Sequence, residues 1–164
     1  MAISLDNLTN KQLQNLIENH QRKNATDAPT YTAALQELER RTGKGLDFDK
    51  SFSIIVRSAK RKEFLTYKEL ADASGAEWNK VHYAINGHLW RLIKYANHND
   101  WPMLSAVVVN QEHKLTGNME PKTLKGFINA ARLLGHSVTD EDKFLRGQQQ
   151  QVFTWASTRK KDVP

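Results

Sequence analysis

Apolar positions along this chain recur mostly three and four residues apart, the spacing of amphipathic helices, and the breaks fall at Gly, Pro and Asn. Over residues 8–22, Leu13, Leu16 and Ile17 form one stripe, and Thr9 with Gln12 makes a capping-box start. The run Asn24-Ala25-Thr26-Asp27-Ala28-Pro29 then interrupts the pattern, with Asp27 suited to cap and Pro29 to open a second helix. That helix reaches about Arg41 and carries Tyr31, Ala34, Leu35 and Leu38 on one face. Residues 1–45 thus predict an αα-hairpin, with Thr42-Gly43-Lys44-Gly45 as a short linker.

Phe48, Phe52, Ile55, Val56 and Ala59 predict a third helix over 50–62, its basic C-terminal end favourable to the helix dipole. Thr66 is placed to cap a helix over 67–74, with Gly75 at the position past its end. A further helix starts near Glu77, is interrupted at Asn86-Gly87, and continues through Leu89, Trp90, Leu92, Ile93 and Ala96 to Asn97-His98-Asn99-Asp100. The β-branched run at 104–109 is the one strand predicted, and 111–117 reads as a turn or wing tip. Pro121 opens a helix with Leu124, Phe127, Ile128, Ala131 and Leu134 inward and Gly135 as its stop. Thr139-Asp140-Glu141-Asp142 caps the last helix, in which 148–151 is a short polar run. The expected organisation is mainly α (α+β): a helical hairpin over 1–45, a winged-helix-like domain with a small sheet and C-terminal helices over 46–156, and a frayed basic tail over 157–164.

Composition narrows what such a fold can do. A 164-residue chain with 39% hydrophobic and 26% charged residues can bury a core without staples. The absence of cysteine excludes disulfides, thiolate zinc sites and cysteine nucleophiles. No apolar run approaches the roughly 18 residues of a membrane span, and Met1-Ala2-Ile3-Ser4-Leu5-Asp6 lacks the regions of a signal peptide. The expectation is a cytoplasmic protein without membrane association. A net charge of +6 and a pI near 9.5 favour an anionic partner, of which nucleic acid is the commonest.

One stretch gives that charge a shape. Residues 65–86 hold a short helix, a glycine turn and a second helix bearing polar and basic side chains, the pattern of a helix-turn-helix. The N-terminal residues of the second helix would meet base edges: Trp78, Asn79, Lys80, His82 and Tyr83. Asn can bond adenine bidentately and Lys can reach guanine acceptors. Val81, Ala84 and Ile85 would face inward onto Leu70 and Ala71. Arg57, Lys60, Arg61, Lys62 and Lys68 make a basic cluster beside it, set against Glu63 alone, and would contact phosphates without reading sequence. A solvated helix face explains the same charges, and a plain helical corner the same turn. Of the four tryptophans, Trp78 is the candidate for base stacking; Trp90, Trp101 and Trp155 read as core.

Other chemistries find little footing. His82 and His88 are six positions apart, off a common helical face, and no His-Glu-x-x-His occurs among the six histidines. No metal site and no cofactor are therefore expected. A magnesium nuclease could draw on Asp100 with Glu120-Pro121-Lys122, but Pro121 makes that segment a poor strand. Ser105 lacks the surroundings of a hydrolase nucleophile.

The stretch Phe64-Leu65-Thr66-Tyr67-Lys68-Glu69-Leu70-Ala71, with the helix at 78–85, Val107-Val108-Val109-Asn110 and Leu115-Thr116-Gly117, resembles the winged-helix domain of alkylguanine-DNA alkyltransferases and alkyltransferase-like proteins. The resemblance spans 64–117. It implies a winged-helix scaffold on DNA, places the family's DNA-perturbing tyrosine on Tyr67, and makes Lys114 part of the wing tip. Where the family carries an intercalating arginine this chain has Asn79, and the reactive cysteine falls on Ser105. Pro102 lies two residues too far away, and the family's His-Arg pair becomes Ala106-Val107. Alkyl transfer is excluded, since a serine hydroxyl is not a ready thiolate equivalent.

The expected function is non-enzymatic binding of nucleic acid, double-stranded DNA first, as a regulator or an accessory of a mobile element or defence system. The alternative is an interaction or inhibitor module whose hairpin docks a protein partner. A small metal-dependent nuclease is the weaker third.

Overall fold

The computed structural model describes residues 5–25, 28–42, 45–82 and 84–164. Two helices open the chain: α1, Asn10–Arg22, and α2, Pro29–Thr42. Thr9 and Gln12 form the expected capping box on α1, while the cap expected at Asp27 and the turn residues Gly43 and Lys44 lie outside the described residues. The hairpin has its own small core of Leu5, Leu13, Ile17, Ala34, Leu35 and Leu38. A second face of α2 packs against α6, Ile85–His98, and so joins the hairpin to the body.

The body is built on α3, Phe48–Lys60, capped by Asp47, whose side chain accepts from the Lys50 N–H at 2.9 Å. Its apolar face buries Phe52, Ile55, Val56 and Ala59. The helix stops two residues before the sequence pattern suggests. Arg61 is its C-cap and Lys62 takes a left-handed φ of 57°, which turns the chain into β1, Leu65–Thr66. α4, Tyr67–Ala73, and the single turn α5, Trp78–Val81, follow. The break expected at Asn86-Gly87 falls earlier, since α5 ends at Val81 and α6 opens at Ile85 with both residues in its first turn. Gly87 is buried there, inside the helix.

The run at 104–109 is mostly not a strand. Leu104–Val107 is a 3-10 turn, and only Val108–Val109 extends, as β2, pairing parallel with β1 in the register Leu65↔Val108 and Thr66↔Val109. Buried throughout except at Ser105, the run fits a core turn as well as a buried strand, and packing decided between them. Gln111–His113 is another 3-10 turn, so an antiparallel wing hairpin is not formed among the described residues. α7, Pro121–Leu133, and α8, Glu141–Ser157, close the chain, with Gly135 at φ 96° ending α7 as expected. The mainly α class is therefore right, with a two-residue parallel sheet as its only β pairing among the described residues.

The C-terminal segment is held rather than frayed. The Arg159 guanidinium lies 4.7 Å from the Trp101 ring centroid, 4.8 Å from Trp155 and 5.3 Å from Phe52. Ser53 Oγ donates to the Asp162 carbonyl at 2.6 Å, and Lys60 Nζ pairs with the Asp162 carboxylate at 2.7 Å. Hydrophilic composition suggested a loose end; the cation–π box under it could not be read from composition.

Candidate nucleic-acid interface

The corner at 66–81 is fixed by local chemistry. Thr66 Oγ1 accepts from the Glu69 N–H and Glu69 Oε1 from the Thr66 N–H, each at 3.1 Å, closing a capping box at the start of α4. Gly75, at φ 74°, ends α4: its N–H donates to Asp72 at 2.9 Å, and the Ala76 N–H to Ala71 at 3.0 Å. Leu70, Ala71, Val81, Ala84 and Ile85 are all buried, as the spacing predicts. The second helix, however, is one turn, because the chain bends again before α6.

That turn leaves Asn79 and Lys80 exposed on its outer side, with Lys80 3.3 Å from Glu77. Trp78 and His82 are half-buried with ring centroids 5.8 Å apart. Tyr83 lies outside the described residues.

The basic cluster is less bare than its linear run suggests. Arg57, Lys60, Arg61, Lys62 and Lys68 are all exposed. Lys60 nevertheless meets Asp162 from the far end of the chain, Arg61 lies 3.6 Å from Glu63, and Lys68 3.5 Å from Asp72. Exposed pairs of this kind contribute about 0–1 kcal/mol each, so a phosphate can displace the carboxylate. Arg57 holds a long hydrogen bond to the Ser53 carbonyl at 3.4 Å.

Lys114 points the other way from an open wing tip. It is half-buried and bridges to Glu69 at 2.8 Å, tying the 111–117 turn to the first turn of α4. Burial alone would raise the Glu69 carboxyl, but the Lys114 ammonium and the Thr66 N–H and hydroxyl outweigh it and hold the group below its ordinary range. The tip residue of the turn is Leu115, 95% exposed.

Tyr67 is half-buried at the start of α4, and burial, with the Glu120 carboxylate adding to it, pushes its phenol up to about 12. It lines a cleft of about 1030 Å3 together with Trp78, His82, Asn86, Trp90 and Ser105. The opposite walls come from α1 and α2, with Arg22 and Tyr31, and from α7, with Lys122 and Lys125. The cleft joins three segments far apart in the chain, and no linear pattern marks Arg22, Lys122 or Lys125 as partners of Trp78.

Within the polar run at 148–151, two side chains turn inward. Gln148 and Gln149 are buried: Gln148 Oε1 accepts from the Met103 N–H at 2.9 Å, and Gln149 Nε2 donates to the Ala106 and Gly117 carbonyls at 3.0 and 2.8 Å. Arg146 adds a bond to the Thr116 carbonyl at 2.7 Å. These side chains brace the 103–118 segment from behind. Two more buried polar groups, Ser51 Oγ and His88 Nε2, share a hydrogen bond of 2.7 Å between α3 and α6.

The carboxylates considered for a nuclease sit at helix ends, not on adjacent strands: Asp100 follows α6 with φ 58°, and Glu120 is the N-cap of α7. Among the described residues, no three of His, Asp and Glu gather as metal ligands, and no helix is long and apolar enough to cross a membrane. Comparison with known proteins finds no matching family model, no similar curated protein and no similar solved structure.

Proposed function

We propose that this chain is a non-enzymatic, cytoplasmic DNA-binding protein that reads duplex DNA with the outer face of α5. The observation that carries this reading is the capped, glycine-turned corner that sets Asn79 and Lys80 outward over a buried Leu70–Ala71–Val81–Ile85 base. Base-edge contacts come from the N-terminal turn of a reading helix, so one turn is enough to present them. Arg57, Lys60, Arg61 and Lys62 supply phosphate contacts from the end of α3, and Lys68 from α4. Tyr67, half-buried and neutral, and Lys114, paired to Glu69, act on position rather than on contact: both hold the start of α4.

Selection of bound duplexes from a random pool tests this reading. A consensus of a few base pairs is expected. On that site Asn79→Ala or Lys80→Ala should each cost about 1–3 kcal/mol, and almost nothing on random duplex. Recovery of random sequence only, with both variants binding like wild type, contradicts it.

A further inference from the structure

We infer that the cleft between the hairpin, α6 and α7 is a groove for single-stranded nucleic acid, separate from the α5 face and resting on the same nucleic-acid reading. Its floor offers the half-buried rings of Trp78 and Trp90, and its hairpin wall that of Tyr31. Arg22, Lys122 and Lys125 line the cleft with these rings; among the described residues its carboxylates are Glu18 on the lining and Glu120 beside Tyr67.

Aromatic faces flanked by cations are what an unpaired strand needs, since each base has a π-face to stack and each phosphate a charge to neutralise. A duplex gains nothing from such rings, because its bases are already stacked on each other. Trp90 already holds one cation at its face, Lys94 Nζ at 5.7 Å from the ring centroid. The amides of Asn86 and Asn129 on the walls can both donate to and accept from base edges. On one side, Asn129 Nδ2 donates to Asn24 Oδ1 at 3.3 Å, an exposed tie between α7 and the hairpin turn. A strand entering from that side must part this tie.

The test uses the full chain with an end-labelled oligothymidylate of roughly 12 nucleotides, within the span of common single-strand sites, and a duplex of equal length. Lys122 and Lys125 are exposed, so Lys122→Gln with Lys125→Gln leaves the fold intact. This double variant should lower single-strand affinity roughly tenfold or more at low salt and leave duplex affinity unchanged. Asn79→Ala with Lys80→Ala should do the reverse.

The chain lacks cysteine, so Asn24→Cys with Asn129→Cys offers only two thiols to a short cross-linker. Linked, this variant should exclude an oligonucleotide blocked at both ends; unlinked, it should bind it. Equal losses on both ligands in the glutamine variant, no loss on either, or binding of thymidine monophosphate as tight as the oligomer would overturn the groove. Single-strand binding that depends on Lys122 and Lys125, with duplex bound no better than by a protein of equal charge, would uphold the groove and overturn the α5 reading. A wild type that binds neither ligand would overturn both.

Discussion

Thr66, Glu69 and Lys114 form a short relay in which each group answers a need of the next. The helix start offers unpaired N–H groups, Thr66 and Glu69 satisfy two of them, and Lys114 charges the carboxylate that does so. Thr66→Ala should destabilise the fold by about 1 kcal/mol, read from urea unfolding. The Glu69 carboxyl is depressed in the folded state, so its contribution is present above the unfolded carboxylate range and is lost as pH falls through the folded value. Stability should therefore drop on acidification more steeply in wild type than in Glu69→Gln; parallel acid curves would contradict the relay. Tyr67 works at the other end of the scale. Its phenol is raised to about 12, so the unfolded chain ionises first, and stability falls between the ordinary tyrosine range and that value. Tyr67→Phe should remove this alkaline step. Glycines divide similarly: a Cβ at Gly75 meets open space, whereas one at Gly117 would lie 2.2 Å from the Phe64 ring, with a left-handed φ of 74° at both. Gly117→Ala should accordingly lower the unfolding midpoint well below that of Gly75→Ala.

Among elements, the helices were legible and the connections between them were not. Apolar spacing and end signals placed all of α1, α2, α3, α4, α6, α7 and α8 to within a few residues, because the side chains that cap and pack a helix lie within it in sequence. The misreadings share a cause. Val107, Val108 and Val109 have strand propensity, but Gln149 bonds the Ala106 carbonyl 43 positions away and turns the preceding residues into a 3-10 segment. The tail at 157–164 is polar, yet Arg159 sits over Trp101, Trp155 and Phe52, three rings brought together only by tertiary packing. The outward placement of Asn79 and Lys80 was legible from the corner's own pattern; the cleft was not, since its cations and rings come from separate segments. Two measurements address these braces. Gln149→Leu leaves the buried Ala106 and Gly117 carbonyls without their donor and should cost about 1–3 kcal/mol. Removing residues 159–164 should cost about 0.5–2 kcal/mol and change the environment of Trp101 and Trp155, visible as a shift in tryptophan emission.

At the scale of the whole molecule, the proposed nucleic-acid reading rests on net charge and on where the exposed cations lie. The chain carries a formal +6, and its exposed cations include those at the end of α3, on α4 and α5, and on α7 at the cleft, with others on α1, α6 and α8. Some pair at longer range with carboxylates, as Arg61 does with Glu63 and Lys68 with Asp72, so on the proposed reading binding would exchange weak internal pairs for phosphates. Salt dependence is the direct signature of that exchange, because each neutralised phosphate releases condensed counterions. Alanine at Arg57, Lys60, Arg61 and Lys62 together should weaken binding on every sequence alike. It should also flatten the slope of log K against log salt by roughly one unit per lost contact. The measurement that tests the central claim most directly is duplex binding by wild type across a salt series, beside an unrelated protein of equal charge. Tighter binding than the control, with a steep negative slope that the four-alanine variant flattens, is the predicted result. Binding no tighter than the control, or a slope that the variant leaves unchanged, would contradict it.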